Sequence, residues 1–151
     1  MSGFQEVQAA FLDTGALATA AVSPDHALDA HDTLMAGLPA AALQHAVEHV
    51  GLLRDQQVFE SVMAMSLRTY QRLRDQPGKR LDPAASGRLW RFNGILARAT
   101  ELLGGQAAAE TWLAAPQIGL EQRRPIDLLA TPAGAALVEE LLDRMDYGVY
   151  A

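Results

Sequence analysis

The sequence predicts an all-α protein. Apolar residues recur at every third or fourth position in several windows, and residues that favour helix N-termini precede these windows. No segment alternates apolar and polar residues over a useful length, so strand content should be near zero. Half of the 151 residues are apolar, which is enough for a packed core.

The first 37 residues carry the weakest pattern. The stretch from Ser23 to Gly37 is predicted to be a loop, and we assign residues 1–37 to an N-terminal arm. A short helix is predicted near the start because four apolar residues have helical spacing: Phe4, Val7, Phe11 and Leu12.

Residues 38–104 predict a domain of four helices. Ser66 and the pair Asp82-Pro83 are N-terminal signals for the third and fourth helices, and Gly51 follows the first. The expected bounds are 38–50, 55–64, 67–76 and 83–103. Residues expected to face the core are Leu43, Ala46, Val47, Val50, Val58, Phe59, Val62, Met63, Leu89, Phe92, Leu96, Ala99 and Leu103.

Residues 105–151 predict a smaller helical module. One helix is expected over 107–114, with Trp112 as an internal anchor, and another over 132–145 after the N-cap Thr131. The inward residues of the last helix should be Leu137, Val138, Leu141, Leu142 and Met145. Its solvent side should carry Glu139, Glu140 and Asp143.

Charge is unevenly distributed along the chain, whose net charge is −6. Residues 51–100 hold nine basic and four acidic residues, whereas residues 101–151 hold three basic and eight acidic residues. Residues 1–50 hold six acidic residues and no lysine or arginine. A basic middle between acidic flanks favours two separate binding functions. Chance clustering of solvated arginines is the alternative.

Amino-acid composition also indicates the cellular compartment. The absence of cysteine excludes disulfides and thiolate metal sites. The start has no basic leader, and no apolar run approaches the roughly 18 residues that a membrane span needs. We therefore expect a soluble, cytoplasmic protein without a membrane partner.

The helices at 55–64 and 67–76 have the spacing of a helix-turn-helix motif. On the second helix, Arg68 and Arg72 should point away from the apolar face, and Thr69 flanks them. Arginine is the commonest side chain that recognises guanine, and a helix N-terminus at Ser66 suits a phosphate. These four residues are the predicted DNA contacts. An amphipathic helix with a solvated basic face is the alternative.

The string His45-Ala46-Val47-Glu48-His49 formally matches an inverted zinc-peptidase motif. Such a site needs a third ligand, and a solvent-facing histidine pair is the favoured interpretation. The chain carries no nucleophile elbow, phosphate loop or dinucleotide fingerprint. We therefore expect a binding protein without a cofactor, not an enzyme.

The closing residues include two tyrosines, Tyr147 and Tyr150, separated by Gly148 and Val149 and followed by Ala151. An aromatic tail with a terminal carboxylate is a usable ligand for a partner's pocket. A frayed end is the alternative.

The C-terminal string contains Trp112-Leu113, Pro116, Gly119-Leu120, Pro125, Leu128-Leu129, Thr131, Gly134 and Val138. In this pattern it resembles the MbcA/ParS/Xre antitoxin family. The Ser66-Leu67-Arg68-Thr69 element resembles that of the family's preceding Xre-like domain. The chain departs from the family at residues 120–124, where family members have a segment of small residues that includes glycine.

The resemblance implies the antitoxin of a type II toxin–antitoxin system. Such proteins neutralise a RES-domain toxin that hydrolyses NAD or uses it for ADP-ribosylation, and they do so by capping its NAD pocket. They also bind the operon's promoter, generally as dimers, and so regulate their own transcription. The implied toxin contacts are Pro125, Asp127, Leu128, Leu129 and the tail Tyr147, Gly148, Val149, Tyr150 and Ala151. A stand-alone helix-turn-helix regulator whose C-terminal module dimerises is the alternative.

Overall fold

A computed structural model describes residues 27–76 and 78–148. Within these ranges the chain forms α-helices, two short 3-10 helices and no β-strand, so the all-α prediction is confirmed. The helix predicted over Phe4–Leu12 lies outside the described residues. The α-helices are α1 (Ala27–Ala36), α2 (Ala40–His49), α3 (Gln56–Met63), α4 (Leu67–Arg74), α5 (Pro83–Leu103), α6 (Gln106–Leu113), α7 (Pro125–Leu128) and α8 (Pro132–Asp146). The 3-10 helices are Gly51–Arg54 and Ile118–Leu120.

Capping side chains set the starts of four helices. Each accepts a hydrogen bond from a backbone N–H in the first turn of its helix, which satisfies a group that has no partner within the helix. The caps predicted at Ser66, Asp82 and Thr131 are confirmed. Asp55, predicted as the first residue of a helix, is instead the N-cap of α3 and accepts from Val58 N at 3.1 Å.

Helix α5 is the centre of the fold and packs against α1, α3, α6 and α8. Leu89, Phe92 and Leu96 on this helix are almost fully buried, as predicted. Arg88 donates hydrogen bonds to Val62 O at 3.2 Å and to Ala130 O at 3.4 Å, so one side chain ties the end of α3 to the start of α8. In the part of the chain that the structure describes, no helix is long and apolar enough to cross a bilayer.

The loop predicted over residues 23–37 is wrong, because Ala27–Ala36 form α1. Its buried residues, Ala30 and Thr33, are small and give little apolar signal, yet they allow α1 to pack closely on α5. The Thr33 hydroxyl donates to Asp29 O at 2.8 Å and is thereby satisfied. Gly37 ends the helix region with φ +93°, a conformation that favours glycine.

Helix α8 differs from the prediction in the exposure of one apolar residue and in the pairing of its acidic residues. Val138, Leu141 and Leu142 are buried as predicted, but Leu137 is 50% exposed. On the other flank Glu139 pairs with Arg91 at 2.6 Å. The acidic side of α8 is therefore not simply solvated: Arg98 of α5 also lies 2.8 Å from Asp143 and 3.3 Å from Asp146.

A pair of glycine substitutions tests the packing of α7 on α8. A Cβ on Gly134 would lie 2.1 Å from the Leu128 carbonyl oxygen, and backbone cannot move aside cheaply. We expect Gly134→Ala to lower the free energy of unfolding by about 1–3 kcal/mol, as overpacking does. The control is Gly94→Ala in α5, where a Cβ meets nothing within 4 Å. That variant should be stabilised by roughly 0.5–1 kcal/mol in urea denaturation.

Candidate functional site

Helices α3 and α4 form the compact pair that a helix-turn-helix requires. Ala64 has φ 50°, in the left-handed region, and turns the chain between them. The ring of Tyr70, the buried residue of α4, lies 5.1 Å from the ring of Phe59 on α3, measured between centroids. Burial raises the pKa of Tyr70, although Arg74 opposes the shift. This contact packs α4 across α3, and α4 also contacts α2, so only its outer face is left to solvent.

The outer face of α4 carries the residues that the sequence predicted for DNA. Arg68, Thr69 and Arg72 are all exposed. The Ser66 hydroxyl accepts from Thr69 N at 3.1 Å and donates to Thr69 Oγ1 at 3.0 Å. Ser66 and Thr69 are thus held together at the helix start, and Arg68 and Arg72 are exposed on the same helix. The geometry brings the four predicted residues onto one helix.

Lys79 is a basic residue that the sequence analysis missed. Thr69, Arg72, Leu73, Gln76 and Lys79 line one depression of about 150 Å³ beside α4. Lys79 follows the turn after α4, so helical spacing gave no reason to include it. The available signal was charge, because residues 66–80 hold five basic residues and one acidic residue. The basic surface is therefore wider than the helix itself.

Helix α7 and its neighbours hold four of the residues predicted to contact a toxin. Pro125 and Leu129 are buried, Leu128 is half-buried and Asp127 is exposed. Arg124 donates to both carboxylate oxygens of Asp127 at 2.8 Å. This hydrogen-bonded pair lowers the pKa of Asp127, and it fixes the orientation of the carboxylate. Of these four side chains, Asp127 presents the most surface to a partner.

The C-terminal end of α8 presents an aromatic side chain to solvent. Tyr147 is 80% exposed, and its backbone N–H donates to Asp143 O. Gly148 has φ +68°, so the chain turns directly after the helix. The remaining predicted tail residues, Val149, Tyr150 and Ala151, lie outside the described residues.

Trp112 is half-buried and packs against the core, as the anchor prediction requires, but its neighbour Leu113 is fully buried and is the deeper anchor of the pair. We expect Trp112→Ala to lower the free energy of unfolding by about 2 kcal/mol, below the roughly 3–5 kcal/mol of a buried tryptophan. Leu113→Ala, the matched change, should cost about 2–5 kcal/mol. Urea denaturation followed by circular dichroism compares the two. A larger loss for Trp112→Ala would contradict this assignment of the anchor.

The two histidines of the zinc-like string lie against each other. The rings of His45 and His49 stack with centroids 4.0 Å apart, and His49 Nδ1 lies 2.9 Å from His45 O. Glu48 accepts a hydrogen bond from Gln44. Among residues 27–76 and 78–148, no three histidine or carboxylate side chains gather as a metal site would require.

These features define a helix-turn-helix protein with a second helical module packed on the same central helix. Residues 29–94 match the model of the antitoxin Xre-like helix-turn-helix domain. Residues 98–148 match the model of the antitoxin Xre/MbcA/ParS C-terminal toxin-binding domain. The chain therefore carries, in this order, the two domains of Xre/MbcA/ParS antitoxins.

A curated relative supports the same assignment. Antitoxin Xre of Yersinia enterocolitica serotype O:8 / biotype 1B is 38% identical to this chain over 73 residues. That alignment covers 48% of this chain and 49% of the relative, so the chain spans about half of the length of the curated relative.

Proposed function

We propose that this protein is the antitoxin of a two-gene pair, that it binds and inhibits a RES-domain toxin, and that it regulates its own operon. The observation that carries this proposal is the order of the two matched domains, a helix-turn-helix at 29–94 and a toxin-binding module at 98–148. Inhibition is by occupancy: the antitoxin caps the NAD pocket of the toxin and needs no chemistry of its own.

The C-terminal surface supports the inhibitory part of the proposal. Tyr147 stands exposed at the end of α8, directly before a turn at Gly148. An aromatic ring can stack where a nicotinamide or adenine ring would lie in the toxin. Tyrosine is also among the residues that most often dominate interface energy. The acidic charge of residues 101–151 suits a pocket that attracts an anionic dinucleotide.

The surface of α4 supports the regulatory part. Arg68 and Arg72 extend from the outer face of the second helix of the motif, the helix that enters the major groove in proteins of this class. Lys79 adds positive charge beside it. We propose that the protein binds its operator as a dimer, with one α4 for each half-site. Sedimentation of the free antitoxin and of the DNA complex measures this stoichiometry.

Co-expression with the adjacent gene product tests the proposal. A RES-domain protein encoded next to this chain should co-purify with it in a defined ratio, and the antitoxin should restore the growth of cells that express that toxin. If operator binding is found but the neighbouring protein neither co-purifies nor is neutralised, the chain is a stand-alone regulator, and the inhibitory part fails.

A further inference from the structure

Large apolar side chains are exposed in the C-terminal module. Ile118 is 77% exposed and Leu137 is 50% exposed. Burying such groups in a partner is favourable in proportion to the apolar area removed from water. Exposed apolar patches on soluble proteins commonly mark interaction sites.

Helical geometry places Leu137 away from α5. Glu139 points to α5, where it pairs with Arg91, and at about 100° per residue Leu137 lies on the opposite flank of α8. Gly134, one turn earlier, packs against the backbone of α7 at Leu128. Leu137 therefore continues the side of α8 that α7 covers.

Ile118 lies on an element that contacts the same helix. Its 3-10 helix packs against α8, and Leu120, two residues later, is buried. We define the apolar docking surface as the exposed side chains of Ile118 and Leu137 together with the half-buried Leu128 of α7, the helix that packs on α8.

The loop that carries Ile118 is held in place before any partner binds. The Gln117 side chain donates to Trp112 O at 3.0 Å and to Ala115 O at 3.1 Å. Gln117 N also donates to Arg123 O, which closes the loop. A loop whose backbone is already fixed loses little conformational entropy on binding, so the apolar area that it carries contributes more to affinity.

We infer that this apolar docking surface is where the module seats on the toxin, separately from any plug formed by the tail. The inference rests on the proposed function, because the surface lies within the segment that matches the toxin-binding domain, residues 98–148. The exposed side chains of this surface are apolar, so the toxin surface that fits it has an apolar centre.

Binding of the purified toxin by calorimetry tests this inference. The variant Ile118→Glu/Leu137→Glu places charges where apolar contact is required and should bind at least about thirtyfold more weakly, as loss of an interface centre does. The matched control is Leu28→Glu/Met35→Glu, at two exposed apolar positions of α1. Its affinity should stay within about threefold of wild type.

A second variant keeps the test decisive if the glutamates disturb folding. Ile118→Ser/Leu137→Gln adds no charge, should melt like wild type and should still bind clearly more weakly. Toxin affinity equal to wild type in both variants would overturn the inference. So would a change confined to the sedimentation of the free antitoxin, which would assign the surface to a second copy. If wild type itself does not bind the toxin, the proposed function is what fails.

Discussion

Removing residues 148–151 is expected to restore much of the NAD turnover of the toxin while most of the binding affinity is retained. The physical reason is that one part of the module binds the toxin and another part blocks its NAD pocket. The apolar docking surface, with Ile118 and Leu137, lies on the body of the module and survives the truncation. The tail that follows Tyr147 is the part proposed to fill the NAD pocket.

Both quantities are measured on the same truncated protein, binding by calorimetry and inhibition by NAD turnover. A matched variant is Tyr150→Ala in the full chain, which removes one ring and keeps the length. It should relieve inhibition in part if the ring occupies the pocket. If the truncated antitoxin still abolishes NAD turnover at one-to-one stoichiometry, the body of the module is the inhibitor and the tail is not.

Replacing both Arg68 and Arg72 by alanine is expected to abolish specific operator binding. Each arginine that recognises a base contributes about 1–3 kcal/mol of discrimination, and both project from the outer face of α4. Neither side chain belongs to the core, so the melting temperature should not change. Inhibition of the toxin should also be unchanged, because the matched toxin-binding segment begins at residue 98.

Gel shift and fluorescence anisotropy over a range of salt concentrations measure this effect. For wild type, log K should fall with log salt by about 0.9 for each phosphate neutralised, and the double variant should show a smaller slope. The control is Arg123→Ala/Arg144→Ala, which removes the same charge from two exposed positions of the C-terminal module. Equal operator affinity for the Arg68/Arg72 variant and wild type would show that α4 is not the recognition helix.

Local signals in the sequence predicted much of this fold. The N-caps Ser66, Asp82 and Thr131 were identified correctly because a cap acts on backbone groups only three residues away. The buried residues of α3 were identified because one face of that helix is continuously apolar. Both kinds of signal are contained within a single helix.

The errors occur where distant parts of the chain decide the outcome. Helix α1 is stabilised by packing on α5, and its buried residues, Ala30 and Thr33, are too small to show apolar periodicity. Leu137 fits the spacing of a core residue, but the buried arc of α8 stops at Val138, Leu141 and Leu142. Lys79 joins the basic surface because the chain folds back after α4, which helical spacing does not reveal.

This protein is proposed to inhibit a RES-domain toxin by occupying its NAD pocket. Titrating the purified toxin from the adjacent gene with the full chain, and measuring NAD turnover at each ratio, tests this most directly. Stoichiometric occlusion predicts a linear fall in turnover that reaches zero at a fixed molar ratio and stays there. Turnover that persists in a large molar excess of the chain would contradict the account.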